Sequence, residues 1–264
     1  MASGGEGSRV ALSLIRAWRL EVRQLVRSRI YLFTSVLLPL IFASIAHYMF
    51  HGSERDGGQL IIALSAGLMG MWSATIMGAG SAITRLRYLH VLEPLVASPT
   101  PTFLFVLPFA VATASLGLYS LVATLLWSTL LFDMPLEVAD PGMFMVAVPV
   151  AIIALGLVGL MLSSIFILYP TAQSLANLLE YPVWMVSGIL VPVSSLPEPV
   201  RFVSRLLPST WGIEAVLDSA TGAAGAGKAL ALCLLLSAAC VILTLLLLRR
   251  FEWLARSSGT LSLQ

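Results

Sequence analysis

Charge is what this sequence has least of. Only 11% of its 264 residues are charged and 58% are hydrophobic, whereas a soluble globular domain carries roughly 25% charged residues. A water-facing surface is thereby excluded, because a soluble core stops growing near roughly 250 to 300 residues and still needs a polar shell. The net charge is only +2, so no broad basic field exists to recruit nucleic acid. Cysteine and histidine are scarce too. Cys233 and Cys240 stand roughly 10 Å apart along a helix axis, which a disulfide does not bridge, and they read as small buried residues. His47, His51 and His90 fall at the edges of apolar runs, His90 on the opposite side from the other two. They form neither a metal-ligand cluster nor a base beside a nucleophile. About thirty polar and basic residues precede the first long apolar stretch, so the N-terminus does not read as a cleaved signal peptide.

What is abundant is apolar length. Runs able to cross a bilayer, about 20 residues at 1.5 Å rise each, occupy 30–50, 59–83, 103–132, 143–169 and 229–248, with a shorter one at 178–193. The expected fold is all-α and integral to the membrane: one domain over 1–264, with six transmembrane helices and both termini on one side. Pro108, inside the overlong third run, predicts a tilt or kink. Eleven of the fifteen basic residues lie in the N-terminal segment, in the second loop (Arg85, Arg87) and at the C-terminus (Arg249, Arg250, Arg256), while acids gather in the other loops. The positive-inside rule therefore expects cytoplasmic termini in a multi-pass protein of the cell membrane.

Three segments outside these runs have a pattern. Over 8–29, Arg9, Arg16, Arg19, Arg23 and Arg27 share one helical face, and Leu14, Trp18, Val22 and Leu25 the opposite one; this predicts an amphipathic helix in the membrane interface. Over 84–101, Thr84 caps an expected short helix with Leu86, Leu89 and Val91 or Leu92 on its apolar side, ended by Pro94 and Pro99. That segment is either a handle for a partner or a loop resting on lipid headgroups. Over 194–226, Pro197 and Pro208 start two short helices, which suggests a re-entrant hairpin between the fifth and sixth crossings.

Catalytic chemistry is not legible. The stretch "GAAGAGKA" places Gly222, Gly227 and Lys228 at phosphate-loop spacing, but Ala229 stands where a magnesium-binding hydroxyl is required and no strand precedes it. Glu180 is the one acid within the expected spans. It reads either as an interfacial carboxylate or as a contact for substrate or a coupling ion.

Residues 178–212 carry Ser187, Gly188, Pro192, Ser194, Leu196, Pro197, Leu207 and Pro208. This pattern resembles the signature region of type-2 ABC exporter permeases, the ABC-2 family, in which a Ser-Gly, Pro, Ser, Leu-Pro series is followed by an amphipathic stretch and a second Leu-Pro. The entry helix, the six crossings and the length near 260 resemble the family as well. One departure is that Leu89, His90, Val91, Leu92 and Glu93 stand where members often carry Gly-Thr-Leu-Glu.

The resemblance implies a permease that hydrolyses no ATP itself, paired with a second copy and served by two separate ATPase subunits holding ATP and magnesium. It binds no cofactor of its own, and its other partner is membrane lipid. Coupling is expected at Arg85, Arg87, Leu89, Leu92 and Glu93, with Arg19 and Arg23 of the entry helix. Pro192, Leu196, Pro197 and Pro208 belong to an expected outer gate. Met69, Met71, Trp72, Met77, Trp184 and Met185, with Glu180, offer an adaptable apolar path suited to drugs, antibiotics or lipid-like compounds. Polysaccharide or glycolipid export is the nearest alternative, and a non-transport scaffold or sensor subunit is another. Gly67, Gly70, Ala74, Gly78 and Gly80 permit close packing of the second helix, either within the chain or against a second copy.

Overall fold

A computed structural model describes residues 3–33, 37–50, 58–88, 102–133, 137–168 and 180–258. The helices are α1 (Ser3–Arg27), α2 (Arg29–Leu32), α3 (Leu38–Phe50), α4 (Gly58–Tyr88), α5 (Thr102–Phe132), α6 (Pro141–Leu168), α7 (Glu198–Leu206), α8 (Pro208–Thr221) and α9 (Ala226–Ser258). A helical segment, 180–186, precedes α7. Among the described residues three helices are long and apolar enough to cross a membrane, Leu107–Phe132, Pro141–Leu162 and Ala226–Arg250, and Leu60–Thr75 is a shorter apolar stretch. The described residues are thus those of an all-helical membrane protein.

The layers follow from side-chain size. Small residues let α4 lie along α5: a Cβ on Gly67 would meet Leu121, and one on Gly117 would meet Met71. Gly70 faces Pro39 and Ser120, and Gly78 faces Thr113, so these glycines of the second apolar run serve packing within the chain. Several buried hydroxyls are satisfied along their own helices, as in Thr75 to the Met71 carbonyl at 2.8 Å, Thr124 to Ser120 at 2.8 Å and Thr244 to Cys240 at 2.8 Å. Pro108 and Pro149 sit inside α5 and α6, where neighbouring helices stabilise what the missing backbone donors weaken.

Several expected boundaries move. The helix of the second run extends through 84–88, so Thr84 continues α4 rather than capping a new helix; residues 89–101 lie outside the described residues. The fourth helix begins at Pro141, two residues before the apolar run, because the Asp140 carboxylate accepts the Met143 N–H at 3.0 Å and Pro141 needs no donor partner. Residues 187–193 of the expected fifth membrane helix are not α-helical. The helix ends at 186, and Gly188 turns the chain with φ of +84°, a conformation other residues resist.

Beyond that turn, Pro197 and Leu207 precede α7 and α8, both opened by proline. α8 is buried, with Ile213, Ala215, Val216 and Ala220 packed among α4, α6 and α9. At its centre Gly212 touches both flanking helices: a Cβ there would lie 3.0 Å from the Ala151 Cα and 3.3 Å from the Cys233 sulfur. Gly222 ends α8 in the left-handed region, and the α5–α6 loop is tied to this end by Ala139 N–H to the Ala220 carbonyl at 3.0 Å and Asp140 N–H to Ser219 at 3.1 Å. Gly212→Val is expected to cost about 1–3 kcal/mol by overpacking against a backbone that has no room to move. Thermal unfolding of the purified protein in detergent checks this, with Gly227→Ala, whose Cβ would meet only Met143 at 3.8 Å, expected to leave the transition in place.

Candidate functional site

The two ends of the helix bundle differ in charge. Asp133, Glu137, Asp140 and Asp218 mark one end, where Arg205 and Lys228 also lie, and Arg27, Arg249 and Arg250 mark the other. α1 packs against α5 near the arginine end: the Trp18 indole donates to the Ser115 hydroxyl at 3.3 Å, and Leu25 and Tyr31 bury against Ala74 and Ala112. The Tyr31 hydroxyl donates to the Ala74 carbonyl at 3.1 Å, fixing the α1–α2 turn against α4. Trp18, Val22 and Leu25 face inward and Arg19 and Arg23 are exposed, as the periodicity predicts; Leu12 and Leu20 are exposed as well. Of the other coupling residues, Arg85 and Arg87 lie in the last turns of α4, and Leu89, Leu92 and Glu93 fall outside the described residues.

Four residues of the expected path come together in one core. Met69, Met71, Trp72 and Trp184 are buried there with Leu68, Leu155 and Ile213. Met185 is exposed, and the side chain of Met77 lies outside the described residues. Phe42 and Tyr181 meet the Trp184 ring edge-on, with centroids 5.5 and 5.1 Å away. Half-buried Glu180 accepts a hydrogen bond from the Ser73 hydroxyl. This pair joins residues 107 apart in sequence, and no local pattern announces it. Among the described residues the buried indole N–H groups of Trp72 and Trp184 meet no acceptor.

At the α7–α8 elbow Pro192 and Pro197 are exposed, whereas Leu196 and Pro208 are buried. The Arg201 guanidinium donates to the carbonyls of Ser194 and Leu196, both at 2.8 Å, and the Trp211 indole donates to the Arg205 carbonyl at 2.9 Å. The elbow is therefore held by its own polar groups. Apolar Phe202, Val203 and Leu206 of α7 point outward.

Residues 222–229 join helix α8 to helix α9, so the phosphate-loop lookalike has a helix where the motif needs a strand. Cys233 and Cys240 are free and buried. Among the described residues no group of three His, Cys, Asp or Glu side chains converges on a metal position.

The sequence family described as ABC-2 type transporter matches residues 13–220. The chain belongs to the ABC-2 type transporter family. A search of curated proteins returns no match. As an ABC-2 membrane domain it is the transmembrane component of an ABC transporter, a family that normally works with an ATP-binding subunit. The match ends at 220, within α8, so the α7–α8 arm belongs to the ABC-2 unit.

On that arm, burial pushes the Glu214 carboxyl above its ordinary 4.5; Asp218, one turn away, adds to the effect, and Arg205 and Lys228 oppose it. Burial raises Asp218 as well. A carboxyl raised on folding contributes stability that is fully present below its unfolded value and is lost as pH climbs through the raised one. Glu214→Gln is therefore expected to raise the melting temperature near neutrality and to lose that advantage below the ordinary value of 4.5. Melting curves of both proteins across this range check the sign.

Proposed function

We propose that this chain is the permease of an ATP-driven exporter of hydrophobic or amphipathic compounds, assembled as a pair of permeases with two ATPase subunits. In this reading both termini face the cytoplasm, and α7–α8 is a re-entrant arm forming the outer gate. The observation that supports it most is a distance. α1 docks at Ala112 on α5, twenty residues before its end at Phe132, and twenty helical residues span about 30 Å, the thickness of a hydrocarbon layer. An arginine-faced helix at one boundary and acidic loops at the other fit a chain with its basic end inside.

Energy then enters at the arginine end. Arg85 and Arg87 lie in the last turns of α4, shortly before Leu89, Leu92 and Glu93 in the sequence, and this is the segment on which an ATPase can push. α8 lies wedged between α6 and α9 at the far end, so a shift of those helices reaches the gate through Gly212. The tryptophan and methionine core at 69–72 and 184 supplies adaptable apolar surface along the way.

Arg87→Glu and Leu89→Asp are expected to reduce ATP-dependent transport of a fluorescent amphiphile at least tenfold in vesicles holding permease and ATPase, since losing an interfacial anchor costs about 2 kcal/mol or more. Permease levels in the membrane stay unchanged. Wild-type transport by both variants places coupling elsewhere, and absence of ATP-dependent transport by the wild type removes the exporter reading.

A further inference from the structure

We propose that Glu180 is the recognition point for a lipophilic cation, so that the compound carried is an amphiphile with a delocalised or quaternary positive charge. This rests on the exporter reading and specifies its substrate class. Among the described residues of the apolar spans, Glu180 is the one carboxylate. The Ser73 hydroxyl donates to one of its oxygens, and that hydroxyl and burial are the influences acting on it; no basic side chain among the described residues opposes its charge. Arg16, Arg19, Arg23 and Arg27 of α1 are exposed, on the face away from Trp18, Val22 and Leu25. A carboxylate at membrane depth is costly and is ordinarily paired, which leaves the place of the counter-charge to a ligand.

The surroundings fit a cation with an apolar body. Tyr181, 63% exposed, stands beside Glu180 and offers the accessible ring; it rests edge-on against Trp184, one turn on, which is itself buried against Phe42. Aromatic faces attract organic cations and exclude anions. The Phe42–Trp184 contact sets α3 alongside the 180–190 segment. Their exposed side chains, Ile41, Ile45 and Tyr48 on one and Met185 and Leu190 on the other, lead from the carboxylate toward the acidic end. Ser73 precedes Ala74, to which Tyr31 anchors the α1–α2 turn. The carboxylate thus lies near the depth of the arginine-faced helix, where a cation drawn from the adjoining leaflet meets it first.

A simple clasp between α4 and the 180–186 helix is the competing account, and Glu180→Gln separates the two. Glutamine keeps the volume and an oxygen to accept from Ser73 while removing the charge. The experiment measures equilibrium binding of tetraphenylphosphonium, and of the equally shaped anion tetraphenylborate, to the permease–ATPase complex in lipid nanodiscs. The wild type is expected to bind the cation at least tenfold tighter than the anion, Glu180→Gln to lose that preference, and Glu180→Asp to retain most of it. ATP-dependent export of neutral N-phenylnaphthylamine is followed in parallel. Equal cation binding by wild type and Glu180→Gln, with export of the neutral dye intact, overturns the cation site and leaves the exporter reading standing. Cation binding lost in the variant, with no export of any probe by the wild type, supports the site and overturns the exporter reading instead.

Discussion

A fourteen-residue helix is too short to cross a bilayer, yet α8 is among the most buried elements of the chain, and Gly212 is what allows it. Without a side chain at that position, α8 approaches the backbone of α6 at Ala151 and the sulfur of Cys233 on α9. Ile213 and Val216 then enter the two main apolar cores on either side. The backbone bonds from Ala139 and Asp140 hold the α5–α6 loop to the end of the same helix. Wedge, cores and loop therefore depend on one close approach, and α7 is left with its apolar side chains facing away from the bundle.

The opposite end is organised by α1. Its inward face was legible from the spacing of Trp18, Val22 and Leu25, because burial of an amphipathic helix selects apolar residues at a period of 3.6. Glu21, also buried on that helix, carries no such signal. Between the ends, the Ser73–Glu180 pair crosses from α4 to the fifth apolar run. A polar contact within an apolar layer constrains which helices meet, since each group alone is costly there.

Apolar runs gave away the long helices because the solvent they face demands length and hydropathy together. The elbow prolines gave away both short helices, since proline at a first turn loses nothing. Details set by single side chains or by neighbours were harder to read. Asp140 moved the start of α6 through a cap, Gly188 cut the fifth run at 186 through its left-handed φ, and α4 ran past Thr84 because no breaker stands there. Glycines 67, 70 and 78 signalled close packing without naming the partner, which is α5 or α3 of the same chain.

Burial of so short a helix, with α7 joined apolar-side-out to its Pro208 end, is the physical basis for the proposed re-entrant arm. Spin labels test its depth most directly: one on Leu206, exposed on α7, and one on Ala224, exposed in the α8–α9 turn, in a background with Cys233 and Cys240 replaced by serine. Relaxation by oxygen, which concentrates in hydrocarbon, is compared with relaxation by a water-soluble nickel chelate in reconstituted membranes. A re-entrant arm predicts that the Leu206 label responds to oxygen and is shielded from nickel, while the Ala224 label does the reverse. Equal nickel access at the two positions would place α7 on the membrane surface and contradict the insertion of the arm.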